Sequence, residues 1–146
     1  MESSSPIYFV RAIMYDMKNV KLPKGMKSLI AMAKKDRDVI AVAVFGSFAR
    51  KESHRDIDVC LFLMERMSAL EMSRKRLAFL KHSPEKFDIH VFQQLPIYIR
   101  HRVLKEGKII FCSDEDSLYG IASAAVKEYE DFRPIYMNHL EAVEHG

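Results

Sequence analysis

The 146-residue sequence has little of what marks a disulfide-stabilised or membrane-spanning protein. Its two cysteines, Cys60 and Cys112, each lie within an apolar run, so we expect buried, reduced thiols; two cysteines alone cannot form a zinc site. No apolar run approaches the length that a bilayer requires, which predicts no membrane contact. Because the N-terminus lacks a basic stretch followed by a long apolar one, we expect no signal peptide and a cytoplasmic location.

An excess of charge of one sign is also missing. Lys and Arg number 23 and Asp and Glu number 20, so the formal net charge is only +3. This balance is compatible with anionic ligands, but no dense run of Lys and Arg forms a basic arm, and nucleic acid is therefore a weakly supported partner. An apolar content of 49% with 29% charged residues is typical of a globular chain, and the length fits one domain over residues 1–146.

The apolar patterning predicts an α/β fold in which helices alternate with strands. Continuous apolar runs at 39–45 and 57–63 are typical of strands that are covered on both faces. Residues 86–93 alternate between apolar and polar side chains, which predicts a third strand with Asp88 and His90 on one side. A fourth, shorter strand is expected after Gly107.

Helices are predicted between and after these strands. One covers 26–35, a second covers 68–81, and a third opens at Pro96, an early helix position that tolerates proline. Ser113 is a candidate N-terminal cap for a long last helix, and Pro134 is expected to end or kink it. We therefore expect a core over about 26–112 and a C-terminal helical tail over 113–146.

Two of these helices carry apolar stripes that predict their buried faces. In the second helix the predicted stripe consists of three leucines: Leu70, Leu77 and Leu80. In the last helix the predicted buried face consists of six residues: Leu118, Ile121, Ala122, Ala125, Tyr129 and Phe132.

Three acidic residues are the candidates for catalysis and metal binding. Asp56 and Asp58 stand at the entry to the second buried strand, where residues two apart share a face at about 7 Å. Two such carboxylates repel each other, so keeping both charged is costly without a compensating cation. Two divalent ions about 4 Å apart would compensate and would clamp the reacting oxygens of a phosphoryl transfer, a role that suits Mg²⁺. Asp88 completes the cluster if its strand lies beside the second one, either by binding an ion or by accepting the proton of the attacking hydroxyl.

A phosphate-binding turn is predicted just before these acids. Gly46 and Ser47 follow a buried strand, and glycine lets backbone N–H groups approach a phosphate closely. Arg50 can counter the charge of a triphosphate through two parallel hydrogen bonds. Each feature alone has a plainer interpretation: a turn, a solvated strand entry, a surface acid, or arginines that pair with the aspartates. His90 could touch substrate or an acid, or simply pack in the strand, and the sequence leaves this open.

The glycine turn followed by the two aspartates resembles the signature of a known family. Residues 46–50 (GSFAR) and 55–59 (RDIDV) resemble that of the DNA polymerase beta superfamily of nucleotidyltransferases, and the chain looks like a minimal nucleotidyltransferase (MNT) over about residues 36–140. The resemblance implies an α+β nucleotidyltransferase fold, with a mixed sheet flanked by helices and a C-terminal helix. It also implies transfer of a nucleoside monophosphate from ATP or another nucleoside triphosphate, with two Mg²⁺ ions.

Carried onto this sequence, the family's pattern makes Asp56 and Asp58 metal ligands and Asp88 the third acid. Gly46 and Ser47 would hold the triphosphate, with Arg50 beside them. Minimal members often pair with a helical HEPN protein as a toxin–antitoxin couple, in which the nucleotidyltransferase is the antitoxin and can adenylylate its partner. The last helix is a candidate docking surface for such a partner, although core packing is the alternative.

The sequence also departs from the family's usual pattern. Lys51 stands where members often have glycine, Arg55 stands where many have serine, and only eight residues separate Ser47 from Asp56. These departures keep a second hypothesis open, in which a weak or inactive relative neutralises its partner by contact alone. Transfer to a small molecule, as in the aminoglycoside-modifying relatives, is a third hypothesis. The chain is short for the extra substrate domain that such enzymes usually carry, although a homo-oligomer could supply the missing walls.

Overall fold

The computed structural model describes residues 22–46 and 56–145. Within these ranges the chain forms four strands: β1 (Val39–Phe45), β2 (Ile57–Leu63), β3 (Phe87–Val91) and β4 (Lys108–Cys112). It also forms four α-helices: α1 (Met26–Lys35), α2 (Ala69–Lys81), α3 (Ile97–Glu106) and α4 (Glu115–His145). A 3₁₀ turn at Phe92–Gln94 follows β3, so the third strand ends two residues earlier than its sequence pattern predicts.

The strands form one mixed sheet in the order β3-β2-β1-β4. β1 is antiparallel to both β2 and β4, whereas β2 and β3 are parallel. Parallel neighbours require a crossover connection, which α2 provides between β2 and β3. The predicted mixed sheet flanked by helices, with a C-terminal helix, is confirmed.

Two apolar clusters cover the two faces of this sheet. One joins α1 and α2 to residues such as Val42, Val59 and Ile89. The other joins α3 and α4 to the opposite phase of the same strands, including Phe45 and Phe62. Because both faces are covered, every residue of β1 is buried, as the continuous apolar run predicts.

The predicted buried stripe of α2 is wrong for two of its three leucines. Leu70 and Leu77 are 60% and 59% exposed, whereas Met72 and Phe79 are buried against the sheet. The two pairs have the same seven-residue spacing, so they define two competing stripes on one helix. Packing against β3 selects the stripe that contains the phenylalanine.

The predicted cap of the last helix is also wrong. The Ser113 hydroxyl donates to the carbonyls of Val39 and Ile40 and so joins the helix entry to β1. Asp114 is the residue that caps α4, because its carboxylate accepts hydrogen bonds from the backbone N–H and hydroxyl of Ser117. A carboxylate also suits this end of a helix, where the dipole is positive.

Pro134 does not end the last helix. α4 runs without a break from Glu115 to His145, with the proline inside it. Its first half belongs to the core, where Leu118, Ala122 and Ala125 are buried. The predicted core packing of that half is therefore confirmed.

The predictions of free thiols and of no membrane-spanning segment concern the cysteines and the helices. Both cysteines are free thiols, with Cys60 buried and Cys112 half-buried, and burial raises the pKa of each thiol. Over residues 22–46 and 56–145, no helix is long and apolar enough to cross a membrane.

Candidate active site

The candidate site lies where β2 and β3 begin. β2 is buried along its length except at Asp58, whose side chain is partly exposed. The backbone N–H of Ile57 donates to the carbonyl of Lys86 at 2.7 Å and aligns the starts of the two strands. In this parallel register Asp58 lies directly opposite Asp88. Residues directly opposite each other in neighbouring strands point to the same face, so the two carboxylates meet.

His90 completes a compact cluster with these two acids. Its Nε2 lies 3.1 Å from Oδ2 of Asp88 and 3.5 Å from Oδ1 of Asp58. One ligand atom from each of the three side chains lies within 4.8 Å of the others. The side chain of Asp88 is 49% exposed and that of Asp58 is 31% exposed, so the cluster opens toward the side of β3.

The imidazole of His90 is held in place by its surroundings. The Phe45 ring lies tilted against it, with the ring centroids 5.6 Å apart, and Phe45 is the β1 partner of Asp58 in the sheet register. The hydrogen bond to Asp58 raises the pKa of His90, partial burial opposes this, and the charge of Asp88 adds to the increase. The three residues therefore form one electrostatic unit.

An arginine supports the segment that carries Asp88 and His90. Nε of Arg76, on α2, donates to the carbonyl of Ile89 at 2.7 Å. Ile89 is the residue between the two site residues. Because β3 is an edge strand, this contact occupies a backbone group that would otherwise lack a sheet partner.

The turn after β1 lies against the same cluster. Gly46 adopts φ +73°, a left-handed conformation that favours glycine. A β-carbon built at this position would collide with Oδ2 of Asp58. The absence of a side chain at Gly46 therefore lets the turn approach the Asp58 carboxylate closely.

The structure brings together some of the predicted site residues. Asp58, Asp88 and Gly46 meet as expected from the sequence. Asp56 is exposed just before β2 and lies outside the cluster of three, because it precedes the first residue of the strand ladder. Ser47 and Arg50 fall outside the described residues. His90, which the sequence left open, joins the cluster.

The cluster has the chemistry of a site for a divalent cation. Two carboxylates and an imidazole nitrogen offer three ligand atoms from adjacent strand positions. The geometry around a metal ion sets how far apart its ligand atoms lie. Ligands about 2.1 Å from an octahedral ion lie about 3.0 Å apart at neighbouring vertices. In a tetrahedral site the separation is about 3.4 Å. The His90 separations of 3.1 and 3.5 Å are therefore compatible with three ligands of one cation, as they are with hydrogen bonds from Nε2.

The mixed sheet, the two aspartates on neighbouring strands and the left-handed glycine turn form the arrangement expected of a nucleotidyltransferase. The model of the polymerase beta nucleotidyltransferase family matches residues 27–116, which is more than half of the chain. The chain therefore belongs to this family. The matched range includes Gly46, Asp58, Asp88 and His90.

One relative shares part of the sequence. It is 35% identical over 75 residues to a protein of Methanocaldococcus jannaschii named "Putative protein adenylyltransferase MJ1547". The match covers 50% of this chain and 56% of that protein, so the chain matches little more than half of the relative's length.

Solved structures share the fold at low sequence identity. A toxin–antitoxin crystal structure with AMP-PNP contains a chain that superposes with a TM-score of 0.64 at 13% identity, over 84% of this chain and 99% of that one. A complex of tri-AMPylated Shewanella oneidensis HEPN toxin with MNT antitoxin gives a TM-score of 0.57 at 13% identity, over 82% and 92%. The fold of this chain is therefore that of chains in such complexes.

Proposed function

We propose that this chain is a metal-dependent nucleotidyltransferase that transfers AMP from ATP to a hydroxyl group of a partner protein. The observation that carries the proposal is the meeting of Asp58 and Asp88 across two parallel strands, beside the Gly46 turn. A bound divalent cation would neutralise charge on the phosphates and polarise the phosphorus. The family expectation is two Mg²⁺ ions, held by Asp56, Asp58 and Asp88.

The positions of the site residues suggest a different role for each. Asp58 lies on an inner strand beside the turn, so its carboxylate serves the phosphate side of the site. Asp88 lies on the edge strand and is the more exposed of the two acids, so it faces the acceptor. There it would orient the attacking hydroxyl and accept its proton. Gly46, Ser47 and Arg50 would hold the triphosphate.

The acceptor that we propose is a HEPN-type helical protein, with this chain as the antitoxin of the pair. The name of the M. jannaschii relative supports a protein acceptor, and the fold shared with chains of toxin–antitoxin complexes supports a HEPN-type one. A macromolecular acceptor also suits a site that opens at the edge of a sheet.

The test is transfer of label from ATP. The full chain is incubated with Mg²⁺, a co-expressed HEPN-type partner and ATP labelled at the α-phosphate, which distinguishes adenylylation from phosphorylation. We expect label on the partner, and we expect Asp58→Asn and Asp88→Asn to reduce it at least about a hundredfold. Glu65→Gln, which removes an exposed acid in the turn after β2, is the matched control and should label normally. Full labelling by both site variants would reject the proposed roles.

A second candidate function is neutralisation of the partner by contact alone. The observation that favours it is the apolar surface of α4 after Tyr136, where Met137, Leu140 and Val143 are exposed. Calorimetry with the same variants separates the two functions. Partner binding that survives Asp58→Asn, with no label transferred by the wild-type chain, would support the contact mechanism and reject the catalytic one.

A further inference from the structure

We propose that His90 is a metal ligand, and that through its Nε2 the cluster selects a transition-metal ion such as Mn²⁺ over Mg²⁺. The inference rests on the proposed function to the extent that a divalent cation binds at Asp58 and Asp88. It adds a third ligand to these acids and changes the expected metal. The family's pattern of three acids would provide oxygen ligands only.

The position of Nε2 is the first observation. This nitrogen lies 3.1 Å from an oxygen of Asp88 and 3.5 Å from an oxygen of Asp58, so it faces both carboxylates. Both separations match the spacing of ligands around one small cation. At these distances the Nε2–H group hydrogen-bonds to the carboxylates, and a cation bound between the three side chains would take the place of that proton.

The rigidity of His90 is the second observation. Its backbone lies in β3 opposite Cys60, and its ring rests against buried Phe45. Arg76 holds the preceding carbonyl at Ile89. A ligand whose backbone and ring are already positioned loses little conformational entropy when a cation binds. This preorganisation favours metal binding by His90.

The donor atoms of the cluster determine which metal ion it prefers. Mg²⁺ prefers oxygen ligands and keeps several of its waters, so an imidazole nitrogen contributes little to its binding. First-row transition ions accept imidazole, and their affinity for such sites rises from Mn²⁺ through Co²⁺. Two carboxylates with one imidazole are therefore better matched to Mn²⁺ or Co²⁺ than to Mg²⁺.

The experiment measures metal binding and metal–nitrogen contact without using catalysis. Mn²⁺ is titrated into the full-length, metal-free protein and followed by the electron paramagnetic resonance signal of the free ion, with Mg²⁺ as competitor. Electron spin-echo envelope modulation of the bound Mn²⁺ then reports whether a nitrogen is coordinated. The proteins are the wild type, His90→Asn, Asp58→Asn and, as matched control, His82→Asn, which changes an exposed histidine at the end of α2.

We expect nitrogen modulation in the wild type and in His82→Asn, and its loss in His90→Asn. We also expect His90→Asn to weaken Mn²⁺ binding by about tenfold or more, which is the range seen when groups around a metal are altered. Mg²⁺ binding should change much less, so the preference for Mn²⁺ falls by a similar factor. Asp58→Asn should weaken both ions.

Three results would overturn the inference. The first is bound Mn²⁺ without nitrogen modulation in the wild type. The second is an equal loss of Mg²⁺ and Mn²⁺ affinity in His90→Asn, which would make His90 a positioning residue. The third is Mn²⁺ binding that does not depend on Asp58. Label transfer is read separately, so failure of the proposed function is distinguishable: nitrogen-coordinated Mn²⁺ with no transfer would reject only the catalytic proposal.

Discussion

Gly46 shows how one residue without a side chain shapes the site. Its left-handed backbone and its approach to Asp58 both exclude a β-carbon. The position of the Asp58 carboxylate therefore depends on the space that this glycine leaves open.

We predict that Gly46→Ala destabilises the protein by about 1–2 kcal/mol, because an L-residue is strained in the left-handed region. The new methyl group should also displace the Asp58 carboxylate and weaken Mn²⁺ binding. Urea denaturation and metal titration measure the two effects. Gly120→Ala is the control, since nothing lies within 4 Å of a β-carbon at that exposed helix position. It should stabilise the protein by about 0.5–1 kcal/mol. Unchanged metal affinity in Gly46→Ala would contradict this account.

At this scale the sequence predicted some residues and missed others for physical reasons. Asp58 could be singled out because it is the one acid within an otherwise apolar strand, and Asp88 because it lies on the polar side of an alternating strand. Both patterns can be seen in the linear sequence. His90 shares its face with Asp88 by simple alternation, but its distance to Asp58 depends on the register between β2 and β3. No local pattern encodes that register, so the histidine could be noticed but not assigned.

The helix ends show what single elements contribute to stability. α2 begins with a capping box, in which Ser68 and Glu71 exchange hydrogen bonds between side chain and backbone. The backbone N–H and hydroxyl of Ser68 lower the pKa of Glu71 below its ordinary 4.5. At α4, the hydroxyl and backbone N–H of Ser117 lower the pKa of Asp114 below its ordinary 3.8.

These two caps predict a loss of stability in acid. A carboxyl group whose pKa is lower in the folded state stabilises that state above its ordinary pKa, and the benefit disappears as the pH falls through the folded value. The free energy of unfolding should therefore fall between about pH 5 and pH 2. Glu71→Gln combined with Asp114→Asn should make this decline shallower, because the amides keep an acceptor oxygen but do not titrate. Urea denaturation across this range tests it.

Glu85→Gln, at an exposed position before β3, is the matched control for the cap variants. It should leave the slope of stability against pH as in the wild type. An equal slope in the double cap variant and the wild type would show that the caps do not contribute to acid sensitivity.

Elements were predicted better than their buried faces. The four helices and four strands of the described ranges lie within a few residues of their predicted positions, because the spacing of apolar residues and the helix caps are local signals. α2 is the exception in orientation, since Leu70 and Phe79 belong to stripes of equal spacing. Only the sheet beneath the helix decides which stripe is covered, and the sheet is built from residues distant in the sequence.

At the scale of the whole molecule, α4 joins a buried segment to an exposed one. Its apolar positions continue at spacings of three and four from Leu118 to Val143. Up to Tyr136 they have partners: His101 stacks on Tyr129, and Tyr98 stacks on Tyr136. Beyond this point the stripe continues, but its side chains are exposed.

We predict that equivalent substitutions along this stripe have unequal costs. Leu118→Ala should destabilise the protein by about 2–5 kcal/mol, because it leaves a cavity in the core. Leu140→Ala, the matched change in the exposed part of α4, should stay within about 0.5 kcal/mol of the wild type. Urea denaturation of both variants provides the comparison. A cost for Leu140→Ala as large as that for Leu118→Ala would show that the second half of the helix is packed in solution.

The placement of Asp88 on an edge strand has a consequence for how an acceptor would be chosen. Because the site opens at a sheet margin, residues 22–46 and 56–145 leave Asp88 accessible to an incoming hydroxyl from the side of β3. Selectivity would then come from tethering: surfaces far from the reacting atoms would hold the acceptor and raise its local concentration. A free amino acid carrying the same hydroxyl would be a poor substitute for the folded protein that bears it.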